Sequence, residues 1–149
     1  MASPRPEGVV ELEAIRVLLE QWHVVAGGGG GVALSEHSDG RRAVSAIVDK
    51  DYVASMLGQA LGATELVFVT DVPTVFESFG VRPEGAVRRM STAEARELLA
   101  SGACPAGSMG PKVESCIEFV EATGGRAVIT TLGEVEAALR GEAGTTVNR

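Results

Sequence analysis

Apolar residues recur along this chain in two alternating rhythms. Val9, Leu12, Ile15, Leu18 and Leu19 fall three and four residues apart, which predicts an amphipathic helix over 7–21. The same spacing returns in Val53, Met56, Leu57, Ala60 and Leu61 (helix 49–62) and in Val113, Cys116, Ile117 and Val120 (helix 111–123, closed by Gly124-Gly125). A shorter helix over 91–100 opens on the capping pattern Ser91-Thr92-Ala93-Glu94, and a last one covers 132–140. Between the helices lie short, largely apolar runs at 23–26, 43–48, 65–70 and 127–130, and Gly144-Thr145-Thr146-Val147 is expected as a final short strand. Such runs predict strands buried on both faces. Asp39-Gly40, inside the polar stretch 35–42, is a hairpin-turn signal. The alternation predicts an α/β fold: one domain over residues 1–149, built as a three-layer αβα sandwich around a mostly parallel sheet.

Composition narrows what such a domain does. A net charge of −7 argues against a general nucleic-acid binder, which would carry a basic face, yet leaves room for a small anion held by a few lysines. No apolar run approaches the ~18 residues of a membrane span, and the opening Met-Ala-Ser-Pro-Arg-Pro-Glu lacks the apolar core of a signal peptide, so a cytoplasmic protein is expected. Cys104 and Cys116 have no zinc-like spacing and read as reduced thiols, Cys116 on a helix core face. His23 and His37 have no partner pattern, and Trp22 is expected to pack at a helix end.

The chemistry gathers where ligands bind in α/β folds, beyond the carboxyl ends of the strands. In Gly107-Ser108-Met109-Gly110-Pro111-Lys112 a loop runs into a helix, with Pro111 expected at the first helical position. Lys112 then opposes the helix dipole, which is sensible where an anion sits on the free N–H groups. The run Gly27-Gly28-Gly29-Gly30-Gly31 follows a predicted strand. Its G-x-G-x-x-A match to a dinucleotide fingerprint fails because no helix starts there, and no GK[ST] follows to make a P-loop. It is either an anion-binding loop or a structural one. In Asp49-Lys50-Asp51 the bland reading is a helix cap with solvated neighbours; with Lys112 the same residues form a phosphate clamp. Thr70-Asp71-Val72-Pro73 is either a plain turn after a strand or a place where a nucleoside is met.

In order along the chain, the motifs Ala26-Gly27-Gly28-Gly29-Gly30-Gly31, Ala46-Ile47-Val48-Asp49-Lys50-Asp51, Val69-Thr70-Asp71-Val72-Pro73, Pro105-Ala106-Gly107-Ser108-Met109-Gly110-Pro111-Lys112-Val113-Glu114, 119–127 and Gly141-Glu142-Ala143-Gly144-Thr145 resemble the C-terminal half of carbamate kinases, in the amino-acid kinase superfamily. The resemblance runs from about Ser3 onward. It implies a phosphotransferase interconverting ATP plus carbamate with ADP plus carbamoyl phosphate, running toward ATP in the arginine deiminase pathway. It implies catalytic roles for Lys50, Asp51 and Lys112, with Asp51 orienting the lysines. It places Gly28, Gly29, Gly30, Gly31, Gly107, Ser108 and Met109 beside phosphate or nucleotide, and Asp71 and Val72 at the nucleoside. It also implies Mg accompanying ATP/ADP, a homodimer, and no protein-held metal. The Gly-Gly-Asn-Ala-Leu loop of the family's N-terminal half does not occur in this sequence, Thr74 stands for a usual glycine and Phe76 for a usual tyrosine. A separate N-terminal half is therefore an expected partner. The alternative is a nucleotide-binding module without catalysis; acetylglutamate- and uridylate-type kinases fit the motifs less well.

Overall fold

The computed structural model describes residues 4–76, 86–105 and 107–149; Ala106 of the glycine-bearing motif, Ser3 at the start of the resemblance and the side chain of Phe76 lie outside it. Four strands form the central sheet in the order β3 (Glu65–Val69), β7 (Arg126–Thr130), β8 (Thr145–Asn148), β6 (Arg89–Ser91). β3 runs parallel to β7 and β6 parallel to β8, while β7 and β8 are antiparallel. Two small hairpins accompany it, β1 (Leu34–His37) with β2 (Gly40–Ala43), and β4 (Val75–Phe76) with β5 (Ala86–Val87).

Side-chain alternation along β7 divides the layers. Ala127 and Ile129 join Leu66, Phe68 and Val147 beneath α4 (Met109–Thr123), packed with Val113, Cys116, Ile117, Phe119 and Val120. Val128 faces the other way and meets Ala138 of α5 (Val135–Leu139). α2 (Lys50–Leu61) and α3 (Thr92–Ala100) flank α4 on its face of the sheet. The expected three layers and mostly parallel sheet are thus what forms, with the antiparallel β7–β8 pairing making the sheet mixed. α2 approaches α4 closely because Gly58 has no side chain: a Cβ there would stand 3.0 Å from the Phe119 ring.

The helix signals hold well where caps frame them. The Asp49 side chain caps α2 and Gly62 ends it in a left-handed turn; Ser91 and Glu94 form a reciprocal capping box on α3. Other expectations are corrected. The first helix, α1, covers only Leu12–Leu19, and Ile15 is its one buried residue. Trp22 is exposed and not packed at a helix end. α4 starts two residues earlier than Pro111, which takes the third position, so Lys112 is fourth. The last helix opens as a 3₁₀ turn at Leu132–Glu134. The runs 23–26 and 44–48 are not strands. Their apolar character favours extended backbone, but a strand exists only with a ladder partner, and none faces them among the described residues. Val25 is accordingly 100% exposed, and Val44 and Ile47 are exposed as well. β3 stands at the sheet edge on the same terms.

Two outcomes follow. Phe119→Ala empties the α2–α4 seam and lowers stability by about 3–5 kcal/mol in urea unfolding. Made alone, the chain self-associates in light scattering, because Leu18, Trp22, Val25, Val32, Ile47 and Val69 are exposed and β3 leaves an open sheet edge; a monodisperse monomer would contradict this.

Candidate functional site

α2 leads through Gly62-Ala63-Thr64 directly into β3, and α4 through Gly124-Gly125 into β7. Each helix therefore packs back along the strand it feeds, and both helix N-termini arrive at the carboxyl ends of the parallel β3–β7 pair. Free N–H groups and positive helix ends meet there.

At the first of these termini, Asp49 accepts the Asp51 N–H at 2.8 Å, the cap that fixes the turn. That turn drives the Asp51 carboxylate inward, where it is only 4% exposed. Lys112, itself 8% exposed, donates from Nζ to Asp51 Oδ2 at 2.9 Å. Lys50 Nζ stands 3.6 Å from the other oxygen, Oδ1, with its side chain 64% exposed. One carboxylate thus holds two ammonium groups of unequal freedom, one anchored inside and one reaching from the surface. Asp51 serves both ammonium groups alone, because Asp49 in the same turn is engaged as the helix cap. The arrangement can bind an anion and neutralise charge that builds on it.

The glycine run lies against the same turn. A Cβ on Gly30, which has φ +88°, would fall 1.9 Å from the Val48 carbonyl oxygen, so only glycine permits this approach. The Gly30 and Gly31 N–H groups donate to Gly27 and Gly28 carbonyls within the loop's own turn. Close approach, more than donation from these two, is what the loop supplies.

At the second terminus, Ser108 and Gly110 donate their N–H groups to the Pro105 carbonyl, at 3.2 and 2.9 Å. Gly107 and Ser108 are exposed and the Ser108 side chain makes no cap, while the Met109 side chain packs into the core. Gly30, Lys50, Asp51 and Lys112 come together directly. Asp71 is exposed past the end of β3, and Val72 packs on the core shared with Met109 and Val113; no hydrogen bond or ion pair among the described residues ties either of them to the lysines.

Other groups carried no functional signal in the sequence, where Cys116 reads only as a core residue and Thr74 only as standing for a usual glycine. Cys116 sits one turn beyond Lys112, fully buried; burial, and the Asp51 charge secondarily, push its thiol well above the usual range while Lys112 opposes. It stays protonated, a neutral floor under the ion pair. Thr74 and Thr130 carry buried hydroxyls with no partner among the described residues, one in the loop after β3 and one ending β7. Tyr52 donates to Glu114 at 2.6 Å beside the pair.

A profile of the Amino acid kinase family matches residues 2–131. The chain belongs to the amino acid kinase family. It is 45% identical over 146 residues to a carbamate kinase of Halobacterium salinarum, covering 97% of this chain and 48% of that protein. It is 40% identical to a carbamate kinase of Escherichia coli O6:H1, covering 99% and 48%. A carbamate kinase from Giardia lamblia bound to AMP-PNP superposes with a TM-score of 0.93 at 34% identity, covering 98% of this chain and 46% of that one. The chain spans about half the length of the curated relatives it matches. This relationship supports a kinase-like function.

The two lysines separate in a stability measurement. Lys112→Met strands a buried carboxylate with only a distant partner and costs about 3 kcal/mol, the lower end of such losses because Lys50 remains. Lys50→Met removes an exposed contact and costs under about 1 kcal/mol. Equal losses in urea titrations would contradict the division into anchored and reaching cations.

Proposed function

We propose that this chain is the C-terminal, nucleotide- and phosphate-holding half of a carbamate kinase-like phosphotransferase catalysing ATP + carbamate ⇌ ADP + carbamoyl phosphate. The observation that carries this reading is the Lys50–Asp51–Lys112 cluster at two converging helix N-termini, with Gly30 pressed against the first. Phosphoryl transfer needs positioning and charge neutralisation more than covalent chemistry. Lys112, held by Asp51, is a fixed positive charge for an oxygen of the moving phosphoryl group. Lys50, the less confined of the two, follows the group between donor and acceptor. Asp51 keeps both ammonium groups aimed without itself meeting substrate. Gly28, Gly29, Gly30 and Gly31 allow the phosphates close to the backbone, Gly107, Ser108 and Met109 offer the α4 terminus, and Asp71 and Val72 stand where the nucleoside extends.

Magnesium is expected with the nucleotide. Both Asp51 oxygens face lysines, and no group of three or more His, Cys, Asp or Glu side chains gathers among the described residues. The ion therefore enters this reading as a companion of the phosphates.

Activity of the whole enzyme requires the other half of the relatives' length, in the same polypeptide or as a separate partner, and the assembled unit is a homodimer. A second reading is nucleotide binding without turnover.

Calorimetry with ADP, followed by ATP formation from ADP and carbamoyl phosphate, tests both. The expected result is ADP binding by this chain, and ATP formation once the unmatched half of the Halobacterium salinarum relative is added. Asp51→Asn or Lys112→Met should then cut turnover about 10²–10³-fold. Binding without turnover under complementation leaves the module reading; no binding by the folded chain removes both.

A further inference from the structure

Three ties cross the seam between α2 and α4. At its open end Asp51 meets Lys112. One residue further along α2, the Tyr52 hydroxyl donates to Glu114 Oε2 at 2.6 Å. A turn deeper, the Ser55 hydroxyl donates to the Ser115 carbonyl oxygen at 3.0 Å, and Gln59 donates to Ser55 Oγ. The first tie belongs to the site already described, and the third is buried packing. The middle tie is different, because a third element of the chain completes it.

Arg5, in the segment ahead of α1, lies with its guanidinium 4.2 Å from the centre of the Tyr52 ring. It donates to Glu114 Oε2 at 2.7 Å and also to Glu118, one turn further along α4. Arg5 is thus fastened to α2 through a ring face and to α4 through two carboxylates. A planar guanidinium suits both tasks at once, stacking on an aromatic face and forking toward carboxylates. Burial, reinforced by the Glu114 hydrogen bond, raises the Tyr52 hydroxyl above its ordinary pKa, so it remains a donor.

The neighbours of this network in sequence decide its meaning. Tyr52 follows Asp51 directly, and Glu114 lies two residues after Lys112. Whatever sets the distance between Tyr52 and Glu114 sets the distance between the carboxylate and the ammonium beside them. We propose that Arg5, Tyr52 and Glu114 form a positioning strut that fixes the first turn of α2 against that of α4, and so the geometry of Lys50, Asp51 and Lys112. The inference rests on the phosphate-handling reading of that cluster. None of the three touches a reacting atom; they act through the groups beside them. Half-exposed pairs of this kind add little to global stability. A shift of about 1 Å at a reacting centre, by contrast, can cost about 10²-fold in rate. The strut's effect is therefore expected in the site and not in the melting curve.

The test follows the Lys112 ammonium resonance in protein carrying ¹⁵N-labelled lysine, beside ADP calorimetry. Tyr52→Phe and Arg5→Gln should each move the Lys112 signal and weaken ADP binding about threefold to tenfold, with little change in the unfolding midpoint. Arg5→Lys, which keeps the charge and loses the fork, should give a signal between wild type and Arg5→Gln. Arg96→Gln breaks a comparable exposed pair with Glu121 away from the helix starts and should leave the Lys112 signal unmoved. An unchanged Lys112 signal in both Tyr52→Phe and Arg5→Gln overturns the strut, whether or not ADP binds. A wild-type chain that ignores ADP overturns the phosphate reading instead, and the Lys112 signal still judges the strut.

Discussion

The buried ion pair of Asp51 and Lys112 is the constraint around which the helices of this sheet are arranged. A carboxylate withdrawn from water is costly unless an opposite charge reaches it with good geometry. Here the partner comes from a different helix, sixty-odd residues away in the chain. The requirement fixes α2 against α4 at their N-terminal ends. Gly58 then permits the close approach to Phe119 further down, and Ser55 with Ser115 closes the seam between. Cys116, neutral and fully buried, lies under the pair. Buried ion pairs can often be replaced by well-packed apolar residues without loss of stability, so packing alone does not account for this one.

Much of this was legible in the sequence, for identifiable reasons. α2, α3 and α4 have a capping residue or a left-handed glycine at one end or both, and those local rules outlast tertiary context. β3 and β7 are continuous apolar runs placed between helices; β7 is buried as such a run predicts, whereas β3, at the sheet edge, buries only Leu66 and Phe68. The reading failed where an outcome depends on a partner. Residues 23–26 and 44–48 have the composition of strands and lack the ladder, and Trp22 has the composition of a packed residue and lacks the surface to pack on. Sequence specifies the willingness to pair; only the rest of the sheet supplies the pairing. The two-residue strands β4 and β5 are too short to show any period at all.

The site was legible in its residue types and not in its division of labour. Lys50 and Lys112 look alike as motif members, each near the start of a helix. The structure separates them: one is nearly enclosed and bonded at 2.9 Å, the other mostly in solvent at 3.6 Å. Nothing in spacing foretells that difference, because it comes from the α4 residue facing inward across the seam while the α2 residue points out of it. Arg5 was invisible for a related reason. Its partners lie on two helices far along the chain, and a single arginine in a proline-bearing segment carries no periodic signal.

The position of β8 has a consequence for how the molecule comes into being. This strand sits inside the sheet, between β7 and β6, with Val147 fully buried. β3, α4 and β7 can assemble once β7 has been synthesised, a pairing that is itself long-range because Glu65 of β3 meets Arg126 of β7. β6 cannot join them then: it is made early, and its ladder partner arrives only after α3, α4, β7 and α5. During vectorial synthesis, therefore, β6 waits as an unpaired edge, and closure of the sheet is one of the last events, a long-range step of the kind that slows folding.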